Sequence, residues 1–137
     1  MSDGRAIDIR CDITTTREHL LYTEVVLIVD DDDDILELAA EILRTFGYEV
    51  LTARNGLEAV AILRSNSRVS MLFTDIQMPG MGGEELVDVA VALRPDIRVI
   101  LTSGCRRPRV EAPFLQKPYS GADLIRVFPP QPVSLRF

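Results

Sequence analysis

The chain has 137 residues, 47% hydrophobic and 26% charged, with a net charge of −6, which suits one domain with an ordinary core and excludes a disordered chain. The acidic balance argues against direct nucleic-acid binding, since the only basic cluster, Arg106, Arg107 and Arg109, is too short to form a stripe. Cys11 and Cys105 make no disulfide framework, and no apolar stretch has the length of a leader or a membrane span, so a cytoplasmic protein is expected.

In chain order, residues 1–24 read as a polar arm with a small apolar group at Leu20, Leu21 and Tyr22. Val25 to Val29 is a short apolar run of strand type that ends directly in Asp30 and Asp31. Ile35, Leu38, Ala39, Ile42, Leu43 and Phe46 then step by three and four, which predicts an amphipathic helix. Asp33 or Asp34 is expected to cap its first turn, and Gly47 to end it. Glu49 to Ala53 reads as a second strand, Asn55-Gly56 as a turn, and Leu57 to Ser65 as a second helix.

A third strand ends at Asp75, followed by a Met78-Pro79-Gly80 loop and a helix over about Gly83 to Leu93. The fourth strand ends near Thr102, just before Ser103, and the fifth, Phe114 to Gln116, runs into Lys117-Pro118. A last helix from about Ser120 is halted by Pro129-Pro130, leaving residues 129–137 as a proline-rich tail. This alternation predicts a doubly wound α/β domain over residues 25–128.

In such sheets ligands bind in the crevice at the carboxyl ends of the strands. Asp30, Asp31, Asp75, Ser103 and Lys117 all fall there, giving one pocket with three acids, a hydroxyl and an amine. Three carboxylates raise one another's pKa, and a cation relieves the conflict; acid oxygens with a loop carbonyl suit Mg²⁺. A carboxylate is also a nucleophile toward phosphorus, and Asp75, alone at its strand end, is the candidate. Lys117 opposite it would balance charge on a phosphoryl group.

Four segments, VLIVDD at 26–31, TDIQMPGMGG at 74–83, ILTSG at 100–104 and LQKP at 115–118, resemble the receiver domain of bacterial response regulators in order and spacing. The resemblance implies a flavodoxin-like five-stranded parallel sheet of order 2-1-3-4-5. It implies that Asp75 accepts a phosphoryl group from a histidine kinase or phosphotransfer protein, so that the domain is a signalling switch rather than an enzyme with turnover. Asp31 would hold Mg²⁺ directly, Asp30 mainly through water, and the backbone carbonyl of Gln77 would be a further ligand. Ser103 would bond the phosphoryl group, Gly104 would leave room for it, and Phe114 would change rotamer with Ser103. The Lys117–Pro118 bond would be cis. Gln77 and Cys105 flank the same entrance and are candidates for tuning hydrolysis.

Bland readings compete with these. Asp32, Asp33 and Asp34 read as a solvated helix start, His19 as an exposed arm residue, and Phe114 serves equally as core. A phosphatase of the haloacid dehalogenase type also begins with a strand and paired aspartates. That pattern needs a Thr or Val after the acids and an acidic pair after the lysine, and it leaves Asp75 with its MPGMGG loop unexplained, so it is rejected.

The chain departs from the receiver pattern between strands four and five. Thr102 to Pro113 is a short crossover containing Pro108 and Pro113, so the family's fourth helix is expected to be missing or about one turn. The apolar sheet face beneath would then need cover from the arm, from the tail (Val133, Leu135, Phe137), or from a second copy in a homodimer. A non-switching interaction module that uses this altered face irrespective of phosphorylation is the alternative function.

Overall fold

The computed structural model describes residues 23–105, 108–109 and 111–131. Expectations for Leu20, Leu21, Tyr22, His19 and Cys11, and for the tail beyond Gln131, lie outside the described residues. Among the described residues the order is β1 (Val25–Val29), α1 (Asp33–Thr45), β2 (Glu49–Ala53), α2 (Gly56–Ser65), β3 (Val69–Asp75), α3 (Gly83–Leu93), β4 (Arg98–Ser103), β5 (Phe114–Gln116) and α4 (Gly121–Val127).

The five strands form one sheet in the order β2-β1-β3-β4-β5, and every pairing is parallel. Parallel sheets are covered on both faces, so the central strands are apolar throughout rather than alternating; all five β1 residues are buried. α1 and α4 cover one face, where Val26, Ile28, Phe73, Ile100, Leu115, Leu124 and Phe128 meet. α2 and α3 cover the other, over Val25, Leu27, Val29, Leu72 and Leu101. Each of these fully buried side chains contributes on the order of 2 kcal/mol against leaving it exposed.

Local chemistry sets the helix starts. Asp32 caps α1, accepting from the backbone of Asp34 at 3.0 Å and Ile35 at 3.3 Å. This corrects the sequence expectation of Asp33 or Asp34, which occupy the first turn instead and complement the helix dipole there. Asn55, expected in a turn, is the cap of α2: its Oδ1 accepts from the Glu58 N–H at 2.8 Å while Glu58 Oε1 accepts from the Arg54 N–H at 2.9 Å. Gly47, with φ of 96°, ends α1 as expected.

The crossover from β4 to β5 has no helix among its described residues, in agreement with the short, proline-bearing sequence. Within it the Arg109 N–H donates to Glu84 Oε2 at 2.5 Å, at the start of α3. β5 is correspondingly short and pairs only with Leu101, Thr102 and Ser103. At the opposite pole the chain after α4 is pinned to α1. The Tyr48 hydroxyl donates to the Pro129 carbonyl at 2.7 Å, and the Gln131 N–H donates to the Phe46 carbonyl at 2.7 Å.

Candidate functional site at the strand ends

Each candidate side chain stands where its strand stops. Val29 of β1 pairs with Thr74 of β3, so Asp30 and Asp75 follow side by side, and Asp75 in turn pairs with Thr102 of β4. Asp30, Asp75 and Ser103 are 2%, 6% and 0% exposed, whereas Asp31 is open to solvent. One oxygen from each of Asp30, Asp31 and Asp75 lies within 4.8 Å of the others. This is an oxygen-only donor set of a size and charge that fit Mg²⁺.

Lys117, one residue past β5, joins the two buried acids, with its Nζ 2.8 Å from Asp30 Oδ2 and 2.8 Å from Asp75 Oδ2. Burial raises the Asp30 pKa above its ordinary value of 3.8, opposed by the bonds from Lys117 and from the Asp32 N–H and reinforced by the Asp75 charge. Burial alone would lower the Lys117 pKa, but the bonds and charges of the two carboxylates more than offset it, and the amine is held protonated more tightly than usual.

The loops are fixed by their own backbone. The Asp32 N–H donates to Asp30 Oδ1 at 2.9 Å and the Gln77 N–H to Asp75 Oδ1 at 3.0 Å. The second bond holds the Gln77 peptide beside the acceptor candidate. Ser103 Oγ accepts from the Cys105 N–H at 3.1 Å and lies 3.5 Å from Gln77 Oε1, so the two residues expected at the entrance do flank Ser103. Among the described residues, a Cβ on Gly104 would meet only Lys117 Cβ, at an ordinary 3.8 Å. Phe114 is half-buried against the α2–α3 side of the core, next to Leu101 in register. The Lys117–Pro118 bond is cis.

Three further residues belong to this end of the sheet and were not singled out from sequence. Gly83 opens α3 directly against the Asp75 carbonyl, and a Cβ there would lie 2.8 Å from Ile76 Cα. The Thr102 hydroxyl is buried without a hydrogen-bond partner, next to Asp75 in register. Tyr119 stacks on Phe73 with ring centroids 5.6 Å apart. Its hydroxyl pKa is raised by burial and by the charges of Asp30 and Asp75. The doubled glycine at 82–83 signals the first; an isolated hydroxyl in an apolar run and an aromatic after Lys-Pro signal nothing specific until the strands are in register.

The family model for the response regulator receiver domain matches residues 26–127. A response regulator receiver protein of Anaeromyxobacter sp. (strain Fw109-5) is 56% identical over 61 residues, covering 44% of this chain and 25% of that one. The receiver protein CpdR of Brucella abortus is 32% identical over 108 residues, covering 73% and 89%. Among solved structures, the receiver domain of the hybrid histidine kinase CckA superposes with a TM-score of 0.69 at 34% identity, covering 75% of this chain and 94% of that one. Relatives differ in length: the chain spans about a quarter of the Anaeromyxobacter protein and of the NtrX regulator of Azorhizobium caulinodans. No described helix is long and apolar enough to cross a membrane.

Proposed function

Because this chain belongs to the response regulator receiver domain family of two-component signalling, we propose that it is a phosphoryl-operated switch. In this reading Asp75 takes a phosphoryl group from a histidine kinase or phosphotransfer protein and the change alters protein contacts. The observation that carries the reading is the Lys117 bridge to Asp30 and Asp75 beside exposed Asp31: a nucleophile, a cation-binding pair and a phosphate-binding amine within one crevice.

Asp30, Asp31, Asp75 and the Gln77 carbonyl would hold Mg²⁺, which when bound supplies charge for the phosphoryl oxygens and lowers repulsion among the acids. Asp75 Oδ2, once Lys117 moves off it, attacks the phosphorus of a phosphohistidine in line with the bond to nitrogen. That bond breaks, and its electron pair stays on the imidazole, which leaves neutral after taking a proton from solvent. Asp75 is left as an acyl phosphate. Lys117 pairs with the transferred oxygens, and Ser103, released from its loop contacts, donates to one of them. Phe114 follows into the space that Ser103 vacates. This shifts an existing conformational equilibrium by the differential contacts of the phosphoryl group in its two states.

The test is intact-mass analysis after incubation with a small acyl phosphate donor, with and without Mg²⁺, on wild type and Asp75→Asn. One added phosphoryl group that needs both Mg²⁺ and Asp75 is the expected result. Absence of the adduct together with absence of Mg²⁺ binding would overturn the reading in favour of an interaction module that ignores phosphorylation. The absence of a helix among the crossover's described residues favours that second reading, because it changes a face through which receivers commonly signal.

A further inference from the structure

Thr102 carries a hydroxyl that the resting fold does not use. The residue is 2% exposed, and its Oγ1 has no hydrogen-bond partner among the described residues. Ile100, Phe73 and Leu115 share the core between the sheet and α1 and α4. They stand two residues before Thr102, Asp75 and Lys117, so these three side chains continue the same face of the sheet. Thr102 is in register with Asp75 on one side and with Leu115 on the other. The nearby carboxylate is engaged elsewhere, Asp75 Oδ1 by the Gln77 N–H and Oδ2 by Lys117. A buried hydroxyl in this position has given up its bonds to water and gained none.

The Lys117 side chain closes over it. β4 lies between β5 and β3, which are two strand spacings or about 10 Å apart. An amine that starts just beyond β5 and ends 2.8 Å from Asp75 Oδ2 therefore passes over the end of β4. Gly104 fixes the face on which it passes. This glycine follows Thr102 by two residues, and a Cβ on it would lie 3.8 Å from Lys117 Cβ. The methylene stem thus lies along the Thr102 side of β4, where it excludes water and offers no acceptor. On the same face Tyr119 reaches Phe73, one step below Asp75 in the row, and adds an aromatic ring to the apolar surroundings.

We infer that Thr102 is a positioning residue that acts through Lys117: its stranded hydroxyl raises the free energy of the closed bridge and loosens the amine's hold on Asp75. When the amine leaves Asp75, its stem lifts from β4. Water entering past exposed Asp31 then reaches the hydroxyl. The penalty belongs to the masked state alone, so it shifts the balance toward the open one. The inference rests on the proposed phosphoryl switch in one respect: where the acceptor must be unmasked before it reacts, Thr102 speeds the transfer without touching the phosphoryl group.

Lys117 is the only lysine of the chain, so its acylation reports the opening of the bridge directly. The full metal-free chain is treated with an N-hydroxysuccinimide ester, and peptide masses separate Lys117 from the N-terminal amine. Thr102→Val keeps the shape and removes the hydroxyl. It should slow Lys117 acylation by about fivefold or more, and slow phosphoryl incorporation from a small acyl phosphate with Mg²⁺ by the same factor. Thr102→Ser keeps the hydroxyl and should hold both rates within about twofold of wild type, even where loss of the methyl lowers the urea midpoint. Acylation of Thr102→Val as fast as wild type, Thr102→Ser as slow as Thr102→Val, or slowed acylation with unchanged incorporation would each overturn the inference. Wild type that takes up no phosphoryl group would instead overturn the switch, and the acylation rates alone would then decide whether Thr102 loosens the bridge.

Discussion

Gly83 and Asp75 approach so closely that a Cβ on the glycine would occupy the space of the Asp75 carbonyl oxygen. The first residue of α3 thus rests directly on the strand end that carries the proposed acceptor. Gly83→Ala forces one of the two to move, and overpacking of this kind costs about 1–3 kcal/mol. Urea denaturation should show that loss, and phosphoryl incorporation should fall by more than the unfolded fraction explains, because the displaced strand end is Asp75 itself.

Asp31 gives the opposite signature. It is exposed, and its like-charged neighbours are Asp30 and Asp75, so Asp31→Ala removes a proposed ligand without removing any packing. Calorimetric titration should show Mg²⁺ affinity lowered at least about tenfold, while metal-free stability stays within about 0.5 kcal/mol of wild type or rises. A marked loss of metal-free stability would reassign Asp31 to a structural role.

Lys117→Ala separates charge balance from metal binding. Without the amine, Asp30 and Asp75 face each other uncompensated, and metal-free stability should drop by about 2 kcal/mol or more. Millimolar Mg²⁺ should restore most of that loss by linkage. Phosphoryl incorporation should stay at least about a hundredfold below wild type even with saturating Mg²⁺, since loss of one charge-stabilising contact costs that much. The melting temperature with and without Mg²⁺, set beside the incorporation rate, checks both halves.

The raised Asp30 pKa has a pH consequence of definite sign. The native state holds this proton more tightly than the unfolded chain does, so the group's contribution to metal-free stability declines as pH rises from its ordinary 3.8 through the higher folded value. Urea midpoints between about pH 4 and 7 should therefore have a component that falls with pH. Asp30→Asn should remove it. The Lys117 contribution, whose pKa is also raised, is fully present over this range and is lost only at alkaline pH.

At the far pole, Tyr48→Phe removes the bond to the Pro129 carbonyl. The expected cost is about 1 kcal/mol, with faster amide exchange at Gln131 and no change in phosphoryl incorporation.

Much of this was legible beforehand because strand ends coincide with chemistry: an apolar run stopping at Asp30, another at Asp75 and another at Ser103 is visible without coordinates. The lack of a helix among the crossover's described residues was legible too, since Pro108 and Pro113 leave little room for a helix to propagate. What remained hidden depends on geometry that sequence spacing does not encode. Five consecutive aspartates offer several capping choices, and only backbone direction at Asp32 selects one. Asn55 reads as turn or cap according to where the next helix begins. The contact of Gly83 with Asp75 needs the path of a loop, and the unpartnered Thr102 hydroxyl needs the register of β3 with β4.

The lysine that joins both buried acids gives the resting site a logic of its own. With Nζ bound to Asp75 Oδ2 and Asp30 Oδ2, the proposed nucleophile is masked, and the proposed cation seat is partly taken by a tethered substitute. In the proposed switch, a donor arriving alone would meet a neutralised carboxylate, and a divalent ion arriving alone would displace the amine without supplying phosphorus. The two together would complete the transfer and give Lys117 the phosphoryl oxygens as partners. On that reading the crevice is a coincidence gate, held by its own side chain until both inputs are present.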